Sequence, residues 1–150
     1  MDLKLSLALP HEALSVPVIR RVLGDALRGL GVNEDCVADI LVATSEACTN
    51  VIQHARSGGN YEVVGTVDDD VCALKIMDWG RGLRRATSAD DLGTLRESGR
   101  GLKIMRALVD DLYIDSTPDR GTVVHLRKRL TWRDEALIRR LERQLMHSAG

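Results

Sequence analysis

The sequence predicts an α+β domain of two layers, an α/β sandwich in which helices cover one face of a mostly antiparallel sheet. Apolar residues alternate with polar residues in five short segments, and they recur at helical spacing in four longer ones. These segments follow the order β-α-α-β-β-α-β-β-α. Short turns join the strands in pairs, which is typical of hairpins and favours antiparallel pairing.

Composition excludes several functional classes. A chain of 150 residues is long enough for one domain with a buried core. With 21 basic residues, 22 acidic residues and 3% aromatic residues, it lacks both the charge that attracts nucleic acid and the rings on which bases stack. We therefore expect no nucleic-acid partner.

Targeting and cysteine signals are also lacking. The first residues contain no basic segment followed by an apolar run, and no stretch approaches the length of a membrane span. We expect no membrane partner and a cytoplasmic location. The three cysteines form no Cys-x-x-Cys pair, so we interpret them as small buried residues in a reducing compartment.

The first third of the chain predicts one strand and two helices. Leucines alternate with polar residues over 3–9, and Pro10 ends this strand. Ser15 is predicted to cap the first helix, which runs to Gly31. Asn33 is predicted to cap the second helix, whose first turn is acidic.

The remaining chain predicts two hairpins separated by a loop and a helix. The strands are expected at 61–67, 71–77, 112–116 and 122–129. Residues 83–98 show no period and lie between two glycine-rich turns, so we expect a loop that closes over a ligand.

A last helix is predicted after Thr131, which we expect to cap it. We expect residues 1–130 to form the domain and 131–150 to form a helix packed on it or extending it. From Arg127 to residue 150, seven basic residues stand against three acidic ones. These could form a solvated face or a contact with a partner.

The second helix presents an unusual pair of polar residues. Glu46 and Asn50 lie one turn apart, opposite a stripe of apolar residues that would pack in the core. A carboxylate can accept a proton from a nucleophile, and an amide oxygen can bind Mg²⁺. The same pair could equally be solvated surface.

Three further blocks contain closely spaced glycines or a polar strand end. Asp78-Trp79-Gly80-Arg81-Gly82 ends an apolar strand, and its carboxylate could accept a hydrogen bond from an exocyclic amine. Ser98-Gly99-Arg100-Gly101-Leu102 leads into a helix, whose N-terminal amides can bind phosphate. Gly121-Thr122 begins the last strand. Taken singly, each block could be an ordinary turn or strand residue.

In their order and spacing, these blocks resemble the ATP-binding domain shared by gyrase B, MutL, heat-shock chaperones and histidine kinases, the GHKL superfamily. Within it, the chain is most similar to the free-standing serine kinases that act as bacterial anti-sigma factors. The resemblance covers most of residues 3–130. It implies the Bergerat fold of that superfamily, a sandwich with a mixed, mostly antiparallel sheet.

The resemblance also implies roles for individual residues. Glu46 would be the general base and Asn50 the Mg²⁺ ligand, while Asp78 would bind adenine. His54 would be a structural residue near the site, and Arg20 corresponds to a partner-binding arginine. The residues implied to bind ATP are Asn50, Asp78, Gly80, Gly82, Arg96, Gly99, Arg100, Gly101, Leu102 and Thr122.

The function implied is an anti-sigma factor and ATP- and Mg²⁺-dependent serine/threonine-protein kinase that regulates transcription in stress response or sporulation. It would sequester a sigma factor, phosphorylate an antagonist of the sulfate-transporter and anti-sigma antagonist (STAS) type, and form a homodimer. The main alternative is a module that binds ATP and a partner without kinase activity. Two further rivals, a histidine-kinase domain working in trans and a chaperone or topoisomerase ATPase, would both need segments beyond those present in these 150 residues. An unrelated α+β protein with coincidental glycines is the last alternative.

Overall fold

The computed structural model describes residues 2–54, 59–78, 99–117, 121–133 and 135–148. The predicted order of strands and helices is confirmed. The elements are β1 (Leu3–Pro10), α1 (Ser15–Leu30), α2 (Glu34–His54), β2 (Asn60–Asp68), β3 (Val71–Asp78), α3 (Gly99–Leu108), β4 (Asp111–Thr117), β5 (Gly121–Arg129) and α4 (Glu135–Ser148).

The strands form one five-stranded sheet in the order β1-β2-β3-β5-β4. Each pair of neighbours is antiparallel, so the strands within the described ranges include no parallel pair. Alternate residues of β2 and β3 are buried, and Val124 and Leu126 of β5 are buried on the same face. The predicted sandwich, with helices covering one face of an antiparallel sheet, is confirmed.

Helix α2 lies at the centre of the fold. It packs against α1, α3 and strands β3 and β5. Residues Ala43, Ala47 and Cys48 are completely buried, whereas Glu46 and Asn50 are only partly buried. The amide of Asp35 donates to Oδ1 of Asn33 at 2.9 Å, which confirms the predicted cap of this helix.

The prediction that Ser15 caps α1 is wrong. The helix already includes Ser15, its N-cap is Leu14, and no side chain caps it. The Ser15 hydroxyl instead donates to the carbonyl oxygen of Glu12 at 2.7 Å and contacts the Tyr61 hydroxyl at 2.6 Å. A tertiary contact with β2 therefore uses the side chain that the local pattern assigned to the helix end.

Helix α1 ends as predicted at Gly31, which has a φ of 92°. This left-handed conformation suits glycine and closes the helix with hydrogen bonds to the last carbonyl groups. Arg28 and Glu34 then form a bidentate ion pair across the turn between α1 and α2, with Nη2 and Oε1 2.8 Å apart. Both features lie in the turn that joins α1 to α2.

The segment after β5 is attached to the turn between α1 and α2. The amide of Asn33 donates to the carbonyl of Thr131 at 2.7 Å, and the amide of Arg133 donates to the carbonyl of Gly31 at 2.9 Å. The indole of Trp132 donates to Oδ1 of Asp70 at 3.0 Å. The prediction that Thr131 caps the last helix is wrong, because that helix begins four residues later, at Glu135.

In the ranges that the structure describes, no helix combines the length and the apolar character that crossing a membrane requires.

Candidate active site

The polar face of α2 lies directly against the first turn of α3. A methyl group built on Gly101 would lie 3.0 Å from Oε2 of Glu46, and 3.6 Å and 3.7 Å from the two amide atoms of Asn50. Only a residue without a side chain leaves this space open. The structure thus brings together a carboxylate, a carboxamide and the backbone of a helix start.

The first turn of α3 has the properties of an anion site. The sequence predicted that Gly99 and Gly101 precede the helix, but the helix begins at Gly99, so both lie in its first turn. That turn carries no acidic residue, and its N–H groups have no partners within the helix. Arg100 is exposed beside them, and Leu102 packs partly buried against the core.

The opposite end of α3 is held by the sheet. Lys128 of β5 donates to the carbonyl oxygen of Leu108 at 2.7 Å, where a cation is favoured by the helix dipole. Met105 is completely buried one turn beyond Gly101. Both contacts fix the position of the first turn relative to Glu46.

A second polar group lies at the end of the sheet. Asp78 is the last residue of β3 and is 3% exposed. The register of β3 and β5 places Thr122 directly opposite it, and Thr122 is paired in turn with Ser116 of β4. The hydroxyls of Thr122 and Ser116 are 3.2 Å apart. Directly paired residues point to the same face, so these three side chains form a row on the helix-covered side.

Two residues that the sequence did not indicate lie beside Asp78. Nε2 of His11 is 3.3 Å from Oδ1 of Asp78, and the His11 ring packs on Tyr61 with ring centroids 5.5 Å apart. Tyr61 is completely buried and contacts Ser15. No local motif marks either residue; the only available signal was the position of His11 immediately after a strand end.

Burial makes the groups beneath the site hard to ionise. Burial raises the pKa of the Cys48 thiol to about 12, although a hydrogen bond with the Tyr61 hydroxyl lowers it in part. Burial also raises the pKa of Tyr61, opposed by its hydrogen bond with Ser15. These groups stay neutral at physiological pH, so they contribute structure here rather than charge.

Several residues that the resemblance implied cannot be placed in this geometry. Gly80, Gly82 and Arg96, together with the expected loop at 83–98, lie outside the described residues. His54 is the last residue of α2, and its side chain also lies outside them. Arg20 is an exposed residue of α1, whereas Glu46 and Asn50 lie on α2 and Asp78 and Thr122 lie on strands.

The residues present fit a nucleotide with its magnesium ion. A methyl group on Gly101 would be in ordinary contact with both amide atoms of Asn50, so this amide lies beside the first turn of α3. Among the described residues, no group of three His, Cys, Asp or Glu side chains is placed to hold a metal ion.

Comparison with known proteins identifies the family. The family model described as a histidine kinase-like ATPase domain matches residues 9–128. An anti-sigma F factor of Bacillus licheniformis is 39% identical over 105 residues, which cover 65% of this chain and 72% of that protein. The serine-protein kinase RsbW of Bacillus cereus is 29% identical over 136 residues, covering 83% of this chain and 84% of that protein.

A solved structure agrees in fold. The chain superposes with a TM-score of 0.67 and 22% identity on a Mycobacterium tuberculosis protein described by its RsbU and RsbW domains. The match covers 85% of this chain and 32% of that longer one. The resemblance inferred from the glycine-rich blocks is thereby confirmed. The chain belongs to the histidine kinase-like ATPase domain family, and its relatives in that family include anti-sigma factors and serine-protein kinases.

Proposed function

We propose that this protein is an ATP- and Mg²⁺-dependent serine kinase that also sequesters a sigma factor. Its substrate would be a serine of a STAS-type antagonist, and it would act as a homodimer. The observation that carries the proposal is the contact of Gly101 with both Glu46 and Asn50. It brings a carboxylate, a carboxamide and the N–H groups of a helix start close together, which is what the proposed roles require. The names of the relatives supply the class of partner.

Each residue then has a specific task. Bound Mg·ATP would supply the γ-phosphoryl group, which is transferred to the seryl oxygen as its bond to ADP breaks, and the cation would offset the phosphate charge. Glu46 accepts the proton of the attacking seryl hydroxyl and orients it. Asn50 offers an amide oxygen to the cation, and the first-turn amides of α3 stabilise phosphate oxygens.

The end of the sheet would recognise the base. Asp78, as an acceptor, suits the exocyclic amine of adenine, and Thr122 lies directly opposite it to add a hydroxyl. Gly80, Gly82 and Arg96 are proposed to complete the pocket, as their positions in the sequence suggest. Arg20 is proposed as a contact for the sigma factor or the antagonist, and His54 as a structural residue.

The test is affinity capture from the source cell with Mg·ATP, comparing the wild type with Glu46→Gln and with Asp35→Asn. Asp35→Asn makes the same type of change at an exposed position of the same helix. Bound proteins and their phosphoserines are then identified by mass spectrometry. We expect a sigma factor with all three proteins, and an antagonist whose serine phosphate is absent only with Glu46→Gln.

A different outcome would select the alternative. If a sigma factor is bound equally by all three proteins and no phosphoserine appears with any of them, the protein is a nucleotide-dependent binding module. If phosphorylation by Glu46→Gln is normal, Glu46 is not the general base.

A further inference from the structure

The contact between His11 and Asp78 is not explained by the role proposed for Asp78. His11 follows β1, and its side chain is 8% exposed. Its Nε2 lies 3.3 Å from Oδ1 of Asp78, whose own side chain is 3% exposed. An imidazole nitrogen and a carboxylate oxygen are therefore held side by side away from water.

Hydrogen bonding determines where the protons of His11 lie. Its Nδ1 is 2.8 Å from the carbonyl oxygen of Gly59, which can only accept, so Nδ1 carries a proton. In a neutral ring with that tautomer, Nε2 would present a lone pair to the lone pairs of Asp78. Nε2 is buried and makes no hydrogen bond within the described part of the chain. The contact becomes favourable only when a second proton lies between Nε2 and Oδ1.

The surroundings leave Asp78 as the partner for that proton. The groups that face His11 in the described residues are the Gly59 carbonyl, the Tyr61 ring of β2 and the Asp78 carboxylate of β3. The Tyr61 hydroxyl is engaged with Ser15. Glu12, next in the chain, is exposed.

We infer that His11 is a positioning residue for adenine recognition. With a proton on Nε2, its contact with Oδ1 restricts the rotation of the Asp78 carboxylate and therefore the direction in which that carboxylate accepts hydrogen bonds. The exocyclic amine of adenine donates a hydrogen bond, whereas guanine presents an oxygen at the same ring position. His11 thereby contributes to the preference for ATP over GTP. This inference rests on the adenine-binding role proposed for Asp78.

Two substitutions separate the contributions of Nδ1 and Nε2 of the imidazole. In His11→Asn the amide nitrogen falls near the place of Nδ1, so it can still donate to Gly59 but cannot reach Asp78. In His11→Gln the amide nitrogen falls near the place of Nε2 and can donate to Asp78. A purely structural role would make the Asn variant the better replacement, because it retains the hydrogen bond to the Gly59 carbonyl.

The measurement is the dissociation constant of Mg·ATP and of Mg·GTP for the full chain, together with the urea midpoint of each variant. We expect His11→Asn to bind ATP about 10-fold more weakly, as for loss of a polar contact with a charged group, and to show a smaller ratio of ATP affinity to GTP affinity. His11→Gln should stay within about 3-fold of the wild type for ATP. If both variants weaken ATP binding equally, or if His11→Asn binds ATP like the wild type, the inference is overturned.

Asp78→Asn distinguishes a failure of this inference from a failure of the adenine-binding role proposed for Asp78. If Asp78→Asn retains both affinities, the adenine-binding role of Asp78 is wrong. If Asp78→Asn loses ATP binding while His11→Asn does not, only the inference about His11 fails. The ¹⁵N resonances of His11 in the wild type give a readout that needs no variant. A ¹⁵N chemical shift typical of an unprotonated nitrogen at Nε2 would contradict the inferred proton on that atom.

Discussion

Oε2 of Glu46 lies only 3.0 Å from the position that a methyl group on Gly101 would occupy. The carboxylate belongs to α2 and the glycine to α3, so the packing of two helices sets the position of the candidate base. That carboxylate is the far end of a flexible side chain, which can shift at little cost in stability. Its displacement should therefore affect chemistry much more than folding.

Gly101→Ala is predicted to separate activity from stability. The added methyl group displaces the Glu46 carboxylate by a few tenths of an ångström. Because a misplacement of about 1 Å can cost about 10²-fold in rate, we expect phosphorylation to slow by up to about 10-fold. Alanine is a better helix former than glycine, so the free energy of unfolding should not fall by more than about 1 kcal/mol. Phosphorylation rate and urea denaturation check both statements.

Gly29→Ala is the matched control. A methyl group there meets nothing within 4 Å, near the end of α1. We expect normal phosphorylation and a stability gain of about 0.5–1 kcal/mol. Equal loss of activity in both variants would argue against a special contact at Gly101.

Asn50 is predicted to govern the dependence of ATP binding on Mg²⁺. Asn50→Ala removes the amide oxygen and should abolish most of the increase in ATP affinity that Mg²⁺ produces. Binding of ATP in the presence of EDTA should change little, because the amides of α3 remain. Asn50→Asp restores an oxygen ligand and should recover the Mg²⁺ effect. Calorimetric titration with and without Mg²⁺ decides the matter; an unchanged Mg²⁺ effect in Asn50→Ala would refute the ligand role.

Tyr61→Phe is predicted to lower stability by about 1–2 kcal/mol. The single Ser15 proton is donated to the Glu12 carbonyl, so the Tyr61 hydroxyl must donate to Ser15 across 2.6 Å. The substitution removes this donor from a completely buried position without creating a large cavity. The urea midpoint should fall with an unchanged m-value. Tyr113→Phe, at an exposed position of β4, is the control and should leave the midpoint in place.

Alkaline pH is predicted to destabilise the fold through its buried thiols. Burial raises the pKa of both Cys48 and Cys72 to about 12, from an ordinary value of 9.0. A group whose pKa is raised on folding contributes stability below its unfolded pKa and loses that stability as pH rises toward the folded pKa. The free energy of unfolding should therefore decline from about pH 9 upward, by up to about 1.4 kcal/mol per pH unit for each thiol.

Urea denaturation at a series of pH values from 8 to 10.5 tests this dependence. Cys72→Ala should show a shallower decline than the wild type, whatever its stability at pH 8. Identical slopes in the two proteins would show that the Cys72 thiol is not the source.

Local patterns predicted the elements well because most of them are amphipathic along their whole length. The stripe on α2 is an example: its apolar side is buried, and Glu46 and Asn50 remain partly exposed. The resemblance implied ATP-binding roles for Asp78 and Thr122, but only the strand register shows that the two residues are directly paired.

What local reasoning missed depends on contacts between distant segments. The Ser15 cap failed because Tyr61, far along the chain, uses the same hydroxyl. His11 could not be connected with Asp78 before the order β1-β2-β3 was known, since their contact crosses the end of β2. The start of α3 was placed too late because glycine is a poor helix former, although the first turn tolerates it.

The C-terminal boundary of the domain can be tested by truncation. A boundary at residue 130 stays a prediction from the sequence, yet Thr131, Trp132 and Arg133 all hydrogen-bond to earlier parts of the chain. Beyond them, Leu145 and Met146 of α4 are 58% and 76% exposed. We therefore expect a chain ending at Arg133 to have a free energy of unfolding within about 1 kcal/mol of the full chain. A chain ending at Leu130 should lose about 2–4 kcal/mol, because it lacks these hydrogen bonds and the partly buried indole. Equal stability of the two truncated chains would support the boundary at 130, whereas a large loss in both would show that α4 itself packs on the domain.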